Sequence, residues 1–435
     1  MIAEFEVKNF FSIRSKQTLS FVPTSDTLLS DEYCHEVREG VTLLKIGIIY
    51  GSNASGKTNV LNAISFFRDL MLDTPKKSEK IGVVPFMLDE ESRKEPTWMK
   101  MSFYIGELKY VLEIKFDNDR IYDESLLVYR SFQPSRLYKR VYVPETDSTS
   151  ITFGNKLGLL KKDQTILLGN AVNNCSVIAT FGVSNIAKSA LNDVYDFFLK
   201  HMADPLRPHV SMSAYTQKNL KSDTDGTIKK FLLMFLKASD FNIEDIDVKD
   251  NEIEMTPEMD KMLDSMPMPK EARDELRQKG KITTHELLFK HKTDAGIYEL
   301  PEDVESRGTT RFMGMAIILK KLLMDNCFVS IDEVETSIHY ELLSYFIRVF
   351  LANSENNSQL LVTTHDINLL NEDYIRRDAI WFTDKDSEGE TQLIRLSSLG
   401  LHKNLSPYNA YRQGKLVKLP FLGSQYLELN EVTNG

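Results

Sequence analysis

Residues 45–64 read KIGIIYGSNASGKTNVLNAI and contain the pattern G-x-x-x-x-G-K-[ST] from Gly51 to Thr58. Glycines in this pattern let the backbone curl, so that successive N–H groups can point at phosphate oxygens. The apolar run before it is typical of a buried parallel strand. The apolar residues from Val60 to Ile64 have helical spacing, and such a helix would direct its positive N-terminal end at the phosphates. The stretch therefore predicts a strand, a phosphate-binding loop (P-loop) and a helix, in that order.

Two side chains of the loop have chemistry suited to a nucleoside triphosphate. Lys57 offers a flexible positive charge to the β- and γ-phosphates, and Thr58 offers a hydroxyl to Mg²⁺. We therefore expect ATP and Mg²⁺ as cofactors, with Thr58 as one metal ligand. The residues expected to hold the nucleotide in this loop are Asn53, Ala54, Ser55, Gly56, Lys57, Thr58 and Asn59.

A second apolar run, from Phe328 to Ile331, ends in the two acids Asp332 and Glu333. Ligands of α/β sheets bind at the carboxyl ends of the strands, so Asp332 is positioned to hold Mg²⁺. Glu333 could take a proton from the attacking water or polarise it. We therefore predict that Asp332 is a metal ligand and that Glu333 is catalytic.

Two weaker signals complete the candidate site. His365 follows the apolar strand 359–364 and could hydrogen-bond the γ-phosphate, although a role in capping or packing stays open. Ser306 and Gly308 lie in a small polar loop before a helix that we expect to begin near Arg311. The N-terminus of that helix would be a second place that favours an anion.

The composition is that of a globular protein of 435 residues with a net charge of −10. This charge argues against a protein whose whole surface binds nucleic acid, although the possibility of a local basic face stays open. The three cysteines, Cys34, Cys175 and Cys327, are far apart and have no metal-ligand spacing, which suits a reducing cytosol. Signal-peptide and transmembrane patterns are missing, so we expect a cytoplasmic protein without a membrane partner.

The rest of the chain suggests three domains. Alternating, β-rich segments dominate residues 1–165, including an antiparallel meander from Trp98 to Tyr129. Residues 166–282 predict a mostly helical insertion, which is either a scaffold arm or a surface for a partner or nucleic acid. Strands and helices alternate again in residues 283–435, as in α/β folds. We expect an N-terminal lobe with the P-loop, the insertion, and a C-terminal lobe with the remaining site residues.

The order of these motifs resembles that of ABC-type ATPases of the SMC and RecF class. The stretch 332–339, DEVETSIH, is similar to the Walker B segment and D-loop of that class, and 363–366, TTHD, is similar to its switch-histidine segment. The resemblance implies an α/β, ABC-type P-loop ATPase head with an N-terminal antiparallel β subdomain and a mostly helical insertion. More narrowly, PFMLD at 85–89, ESRGT at 305–309 and RRDAIWF at 376–382 resemble single-chain ATPases of the RloA and AbiLi type.

The resemblance also implies a function. Such an ATPase hydrolyses ATP in a homodimer or higher homo-oligomer, with Glu333 and His365 as catalytic residues. Ser306 and Gly308 would reach the γ-phosphate held by a second subunit. Proteins of this type serve in bacterial anti-phage or abortive-infection systems, with a nuclease or toxin partner encoded nearby. The chain departs from the class in three places. ESRGT keeps only Ser306 and Gly308 of the usual signature, no glutamine lies at a clear Q-loop position, and Phe11 occupies a position where the class usually has Arg or Lys.

Two other functions stay open at this point. One is a RecF- or SMC-like repair ATPase that binds DNA ends, which a basic groove would favour and a net charge of −10 does not suggest. The other is an ATP-dependent assembly scaffold with little hydrolysis, against which the presence of Glu333 argues.

Overall fold

The computed structural model describes residues 1–265, 268, 270–400, 402 and 405–417. The chain forms two compact units, which are described separately. The first unit comprises Met1–Pro208, Asp325–Val334 and Leu351–Gly435, and the second comprises His209–Met324 and Glu335–Phe350. The three-domain division expected from the sequence, after residues 165 and 282, stays a prediction.

In chain order the strands are β1 (Ile2–Lys8), β2 (Gln17–Ser20), β3 (Cys34–Arg38), β4 (Val41–Leu44), β5 (Ile46–Gly51), β6 (Thr97–Ile105), β7 (Leu108–Phe116), β8 (Ile121–Tyr129), β9 (Pro134–Val143), β10 (Ser148–Phe153), β11 (Asp245–Glu254), β12 (Lys281–Thr293), β13 (Gly296–Pro301), β14 (Phe328–Ile331), β15 (Gln359–Thr364), β16 (Ile380–Lys385) and β17 (Thr391–Arg395). The α-helices are α1 (Ser30–Tyr33), α2 (Lys57–Leu72), α3 (Lys161–Asn170), α4 (Val177–Gly182), α5 (Ala190–Asp196), α6 (Met212–Ser222), α7 (Thr227–Ala238), α8 (Pro257–Ser265), α9 (Lys270–Lys279), α10 (Arg307–Met324), α11 (Tyr340–Asn353) and α12 (Pro407–Arg412). Short 3₁₀ turns include Glu302–Val304 and Ile367–Asn371.

An antiparallel sheet fills much of the first unit. Within the described residues its strand order is β10-β9-β8-β7-β6-β1-β2. Strands β6, β7 and β8 are antiparallel neighbours in sequence order, so the meander predicted from Trp98 to Tyr129 is confirmed. Gly106, in the turn between β6 and β7, has φ 55°, a left-handed conformation that glycine adopts without steric cost.

A second sheet in this unit is mainly parallel and carries the P-loop strand at its centre. Its order is β14-β15-β5-β16-β17, in which β14, β15, β5 and β16 run parallel and β17 is antiparallel. All six residues of β5 are buried, as expected for a strand covered on both faces. Parallel strands end at one edge of the sheet, so the residues that follow β5, β14 and β15 are brought together there. The α/β fold class with an N-terminal antiparallel β subdomain is confirmed.

The second unit has its own aromatic core. The ring of Phe235 on α7 stacks on Phe312 of α10 at 5.0 Å and on Tyr345 of α11 at 5.5 Å, measured between ring centroids. Close packing of α10 on α6 depends on Gly314, because a Cβ there would lie 2.7 Å from the sulfur of Met212. Helices therefore supply most of this core.

The second unit also contains a three-stranded antiparallel sheet of β11, β12 and β13 in the described residues. Strand β11 reads DIDVKDNEIE and was not predicted, because acidic residues are depleted in strands. Tertiary contacts offset this preference. Lys290 on the neighbouring strand β12 lies 3.1 Å from a carboxylate oxygen of Asp245 and 2.6 Å from one of Asp247. The strand thus forms because its acids gain cross-strand cationic partners.

Candidate functional site

The P-loop connects β5 to α2 and needs glycine at both ends of its turn. Gly56, the N-cap of α2, has φ 106°, and a Cβ at this position would lie 2.2 Å from the hydroxyl oxygen of Thr391. A Cβ at Gly51 would lie 2.3 Å from the hydroxyl oxygen of Thr383. Ala54 also adopts a left-handed conformation, with φ 62°. The loop is therefore held in a tight curl that larger residues at either glycine position would disrupt.

Threonines from β16 and β17 fix the shape of this loop. The hydroxyls of Ser55 and Thr383 share a hydrogen bond of 2.6 Å. The hydroxyl of Thr391 donates to the carbonyl oxygen of Ser55 at 2.9 Å. Ser55 is 3% exposed, so its side chain stabilises the loop from inside the protein. Its neighbours Asn53 and Ala54 are exposed.

The chain's first turn also contacts the P-loop helix. The side-chain amide of Asn59 donates to the hydroxyl of Ser12 at 2.6 Å, and that hydroxyl lies 2.8 Å from the hydroxyl of Thr391. Asn59, expected from the sequence to hold nucleotide, therefore uses its side-chain amide within the protein.

Lys57 is buried inside the loop that precedes it. Its ammonium donates to the carbonyl oxygens of Gly51 at 2.9 Å and Ser52 at 3.1 Å. A cation beside a glycine-shaped curl of backbone fits the phosphates of a nucleotide, because both features favour negative charge. These residues therefore fit the nucleotide that the sequence predicts.

The carboxylate at the end of β14 lies beside the first turn of α2. The hydroxyl of Thr58 donates to Oδ2 of Asp332 at 2.9 Å, and the hydroxyl of Thr363 donates to Oδ1 at 2.5 Å. Hydroxyl and carboxylate oxygens are the donors that Mg²⁺ takes from a protein when phosphates and water supply the rest. In the described part of the chain no group of three or more His, Cys, Asp or Glu side chains could hold a metal alone. The pair of Thr58 and Asp332 therefore fits a magnesium site that a phosphate would complete.

Thr363, on the strand between β5 and β14, also positions Glu333. The backbone N–H of Glu333 donates to the hydroxyl of Thr363 at 2.9 Å, and that of Val334 donates to the carbonyl of Thr363 at 3.1 Å. Glu333 has φ 47°, which is strained for a residue with a Cβ and is typical of functional positions. Sequence reasoning assigned no role to Thr363. Its place one residue before the end of a buried strand is the signal that could have identified it.

His365 lies immediately after β15, two residues beyond Thr363, and its side chain is exposed. The strand order therefore brings the carboxyl ends of the strands that precede Lys57, Asp332 and His365 to the same edge of the sheet. The roles expected for these residues stay predictions.

Ser306 and Gly308 belong to the second unit, and their local structure corrects the sequence analysis. The helix α10 begins at Arg307, four residues earlier than expected. Ser306 is its cap, because the hydroxyl oxygen of Ser306 accepts the backbone N–H of Thr309 at 3.0 Å. Gly308 therefore lies in the first helical turn and not in a loop. A Cβ at Gly308 would come within 3.0 Å of the carbonyl oxygen of Ser337, so the glycine permits this close approach.

The first turns of α10 include a buried cation. Arg311 is 5% exposed, and its Nε and Nη2 have no hydrogen-bond partner among the described residues. Burial lowers the pKa of Arg311 below its ordinary value, and the negative charge of Glu335 opposes this effect. Glu335 lies two residues beyond Glu333. The attraction between Arg311 and Glu335 therefore links α10 to the segment that begins at Glu335.

Comparison with known proteins gives one family. The family model described as "AAA domain, putative AbiEii toxin, Type IV TA system" matches residues 47–164 and 212–371, which is more than half of the chain. No curated protein matches the chain. Among the described residues, no helix is both long enough and apolar enough to cross a membrane.

Two solved structures of SMC heads are similar over nearly their full length. The SMC head domain from Thermotoga maritima is 10% identical, with a TM-score of 0.39, and the match covers 91% of this chain and 98% of that one. A crystal structure of the SmcHead bound to the C-winged helix domain of ScpA is 14% identical, also with a TM-score of 0.39, and the match covers 94% and 99%.

Proposed function

The chain belongs to the AAA domain family described as "putative AbiEii toxin, Type IV TA system", and from this premise we propose that it is a Mg²⁺-dependent ATP hydrolase. The observation that carries the proposal is the contact between Thr58 and Asp332, at 2.9 Å. It joins the residue after the P-loop lysine to the carboxylate at the end of β14. A phosphate-binding loop and a magnesium-binding carboxylate in contact are the parts that ATP hydrolysis requires.

The P-loop would hold the triphosphate. Backbone N–H groups from Asn53 to Asn59 and the ammonium of Lys57 would bind its oxygens, and Thr58 and Asp332 would hold Mg²⁺. When bound, the cation would neutralise charge that develops on the phosphates. Thr383 and Thr391 would keep the curl of the loop constant during binding, since they hold Ser55 through its side chain and its carbonyl.

Glu333 would orient and deprotonate the attacking water. Its backbone N–H is fixed by Thr363, which also binds Asp332, so one hydroxyl sets the positions of the base and the metal ligand. His365 follows the same strand and would contact the γ-phosphate or its water. A carboxylate general base typically contributes about 10²–10⁴-fold to a rate.

Ser306 and Gly308 would complete the site of a second subunit. Ser306 is exposed at the N-terminus of an 18-residue helix, where the helix dipole favours a phosphate. If each copy offers this turn to the other, the interface is isologous and the assembly is a C₂ homodimer with two ATP molecules. Larger homo-oligomers would be built from this dimer.

We assign the protein to bacterial anti-phage defence of the abortive-infection type, in the cytoplasm, with a nuclease or toxin partner encoded nearby. The support is the toxin in the family description and the RloA- and AbiLi-like segments at 85–89, 305–309 and 376–382. Infection of cells that carry the gene with or without its neighbour tests this role. Equal phage yield with wild-type protein and with the Lys57→Ala variant would contradict it.

The ATPase itself is tested by binding and hydrolysis of ATP with Mg²⁺. Lys57→Ala should abolish both, because it removes the buried cation of the loop. Lys77→Ala, at an exposed position, is the matched control and should leave both unchanged. Normal ATP affinity in folded Lys57→Ala protein would overturn the P-loop assignment.

A further inference from the structure

A carboxylate that the proposed function does not use lies next to the cap of α10. Glu305 directly precedes Ser306, and its Oε1 lies 2.5 Å from Nε2 of His291 on strand β12. The side chain of Glu305 is 10% exposed and that of His291 is 22% exposed. The backbone N–H of Glu305 donates to the carbonyl of Glu302 at 2.9 Å. Both the backbone and the side chain of Glu305 are therefore fixed.

This position matters because of the charge of the helix end. The N-terminus of α10 attracts any nearby anion, and the carboxylate of Glu305 is the anion one residue from the cap. If the carboxylate turned toward the first N–H groups of the helix, it would take the place of a phosphate and repel it. The contact with His291 holds the carboxylate toward the sheet of β11, β12 and β13.

The strand that carries His291 is long and well anchored. His291 lies opposite Tyr298 of β13, and its neighbour Lys290 bonds to Asp245 and Asp247 of β11. The sheet therefore holds the backbone that carries the imidazole, and Nε2–H can donate to the carboxylate in both the neutral and the charged ring.

We propose that His291 is a positioning residue that holds the carboxylate of Glu305 away from the N-terminal N–H groups of α10, so that this turn is open to the phosphate of a second subunit. The inference rests on the proposed function, since it gives that phosphate site a residue that keeps it accessible. His291 acts through Glu305 and touches no substrate.

The test uses single and double variants of the full chain. His291→Ala should leave ATP affinity at the P-loop unchanged while lowering kcat and ATP-driven association about five- to tenfold, the size expected for one misplaced charge at a helix end. Adding Glu305→Gln should return kcat to within about twofold of wild type, because the released side chain then carries no charge. His291→Gln keeps an N–H donor and should behave like wild type.

The double variant separates positioning from simple structural support. If the contact only stabilised the fold, His291→Ala/Glu305→Gln would be as impaired as His291→Ala or worse, and that result would overturn the inference. His285→Ala is the control on the same strand. His285 Nδ1 lies 2.9 Å from Oδ1 of Asp250, so the variant also loses a histidine–carboxylate contact, yet it should keep full activity.

Two further outcomes are informative. Should His291→Ala fail to fold, Glu305→Gln alone decides: activity at or above wild type supports the inference, and a clear loss contradicts it. Ser306→Arg distinguishes a failure of the proposed function from a failure of the inference about His291. If it hydrolyses ATP and associates like wild type, the proposed role of this turn fails. If it is inactive while His291→Ala is fully active, only the inference about His291 fails.

Discussion

The hydroxyl of Thr58 donates a hydrogen bond to Oδ2 of Asp332 across 2.9 Å, although 274 residues separate the two positions in the chain. The central position of β5 and the parallel direction of β15 and β14 bring both residues to the same edge of the sheet. Thr363 of β15, the strand between them, binds the other oxygen of Asp332 at 2.5 Å. Three strands thus converge on one carboxylate, and this convergence is the basis of the predictions below.

Glu333→Gln should bind ATP and hydrolyse it roughly 10²–10⁴-fold more slowly, because the amide keeps the shape of the side chain but is not a base. Single-turnover hydrolysis, beside a nucleotide-binding assay, measures both quantities. Glu341→Gln, at an exposed position on α11, is the control and should have the wild-type rate. If Glu333→Gln hydrolysed ATP at the wild-type rate, the general base would be another residue, and His365 would be the next one to test.

Thr363→Val should lower kcat roughly 10- to 100-fold, since displacing a reacting group by about 1 Å has an effect of this size. The side chain is fully buried, so the loss of its hydroxyl should also lower the free energy of unfolding by roughly 1–3 kcal/mol. Thr363→Ser keeps the hydroxyl and should recover most of the rate. Steady-state kinetics and urea unfolding provide the measurements. Equal rates for the Val and Ser variants would show that this hydroxyl does not position the site.

Gly56→Ala should abolish ATP binding. Its backbone is left-handed, with φ 106°, and the new Cβ would meet the hydroxyl of Thr391 at 2.2 Å. The combined strain is roughly 1–3 kcal/mol or more, and the P-loop would relieve it by changing shape. Gly82→Ala is a close control, because φ is 83° there but no atom lies within 4 Å of the new Cβ. Calorimetry should find normal ATP affinity in the Gly82 variant, and tight binding by Gly56→Ala would contradict the role given to this glycine.

ATP should favour a dimer, since a ligand shared between subunits stabilises the assembled state. Glu333→Gln with ATP should accumulate this state, and Ser306→Arg should prevent it while leaving ATP binding by the monomer largely intact. Mass photometry with and without ATP measures the association, and Ser222→Arg, at an exposed position on α6, is the control.

A crosslink provides an independent measurement of the same contact. Cysteines at the exposed positions Asn53 and Arg307 should form an ATP-dependent disulfide between different subunits. If Ser306→Arg associates and hydrolyses ATP like wild type, and if this crosslink is missing, the turn at Ser306 does not complete a site in trans.

Some of the fold could be predicted from short stretches of sequence. Strand β5, the P-loop and α2 follow from glycine spacing and apolar periodicity, which are local properties. The acidic pair at Asp332 was visible because a buried strand of four apolar or small residues ends there. The start of helix α10 was predicted four residues too late, and the reason is also local. Gly308 suggested a loop, but the capping hydroxyl of Ser306 offsets the low helix propensity of glycine and starts α10 at Arg307.

The sequence by itself determined that this chain has a phosphate-binding loop, a carboxylate at the end of a second strand, and an α/β fold with an antiparallel β subdomain, because each depends on residues close together in the chain. Only the tertiary structure decided which threonines hydrogen-bond to the P-loop and to the pair Asp332 and Glu333, and which histidine contacts Glu305. Thr391 and His291 belong to no motif, and Thr363 lies in the TTHD stretch, where only the histidine was assigned a role. Their hydrogen-bond partners Ser55, Glu305 and Asp332 lie in the P-loop, before α10 and after β14. Strand order and register decide such contacts, and these result from the packing of the whole chain rather than from any local pattern.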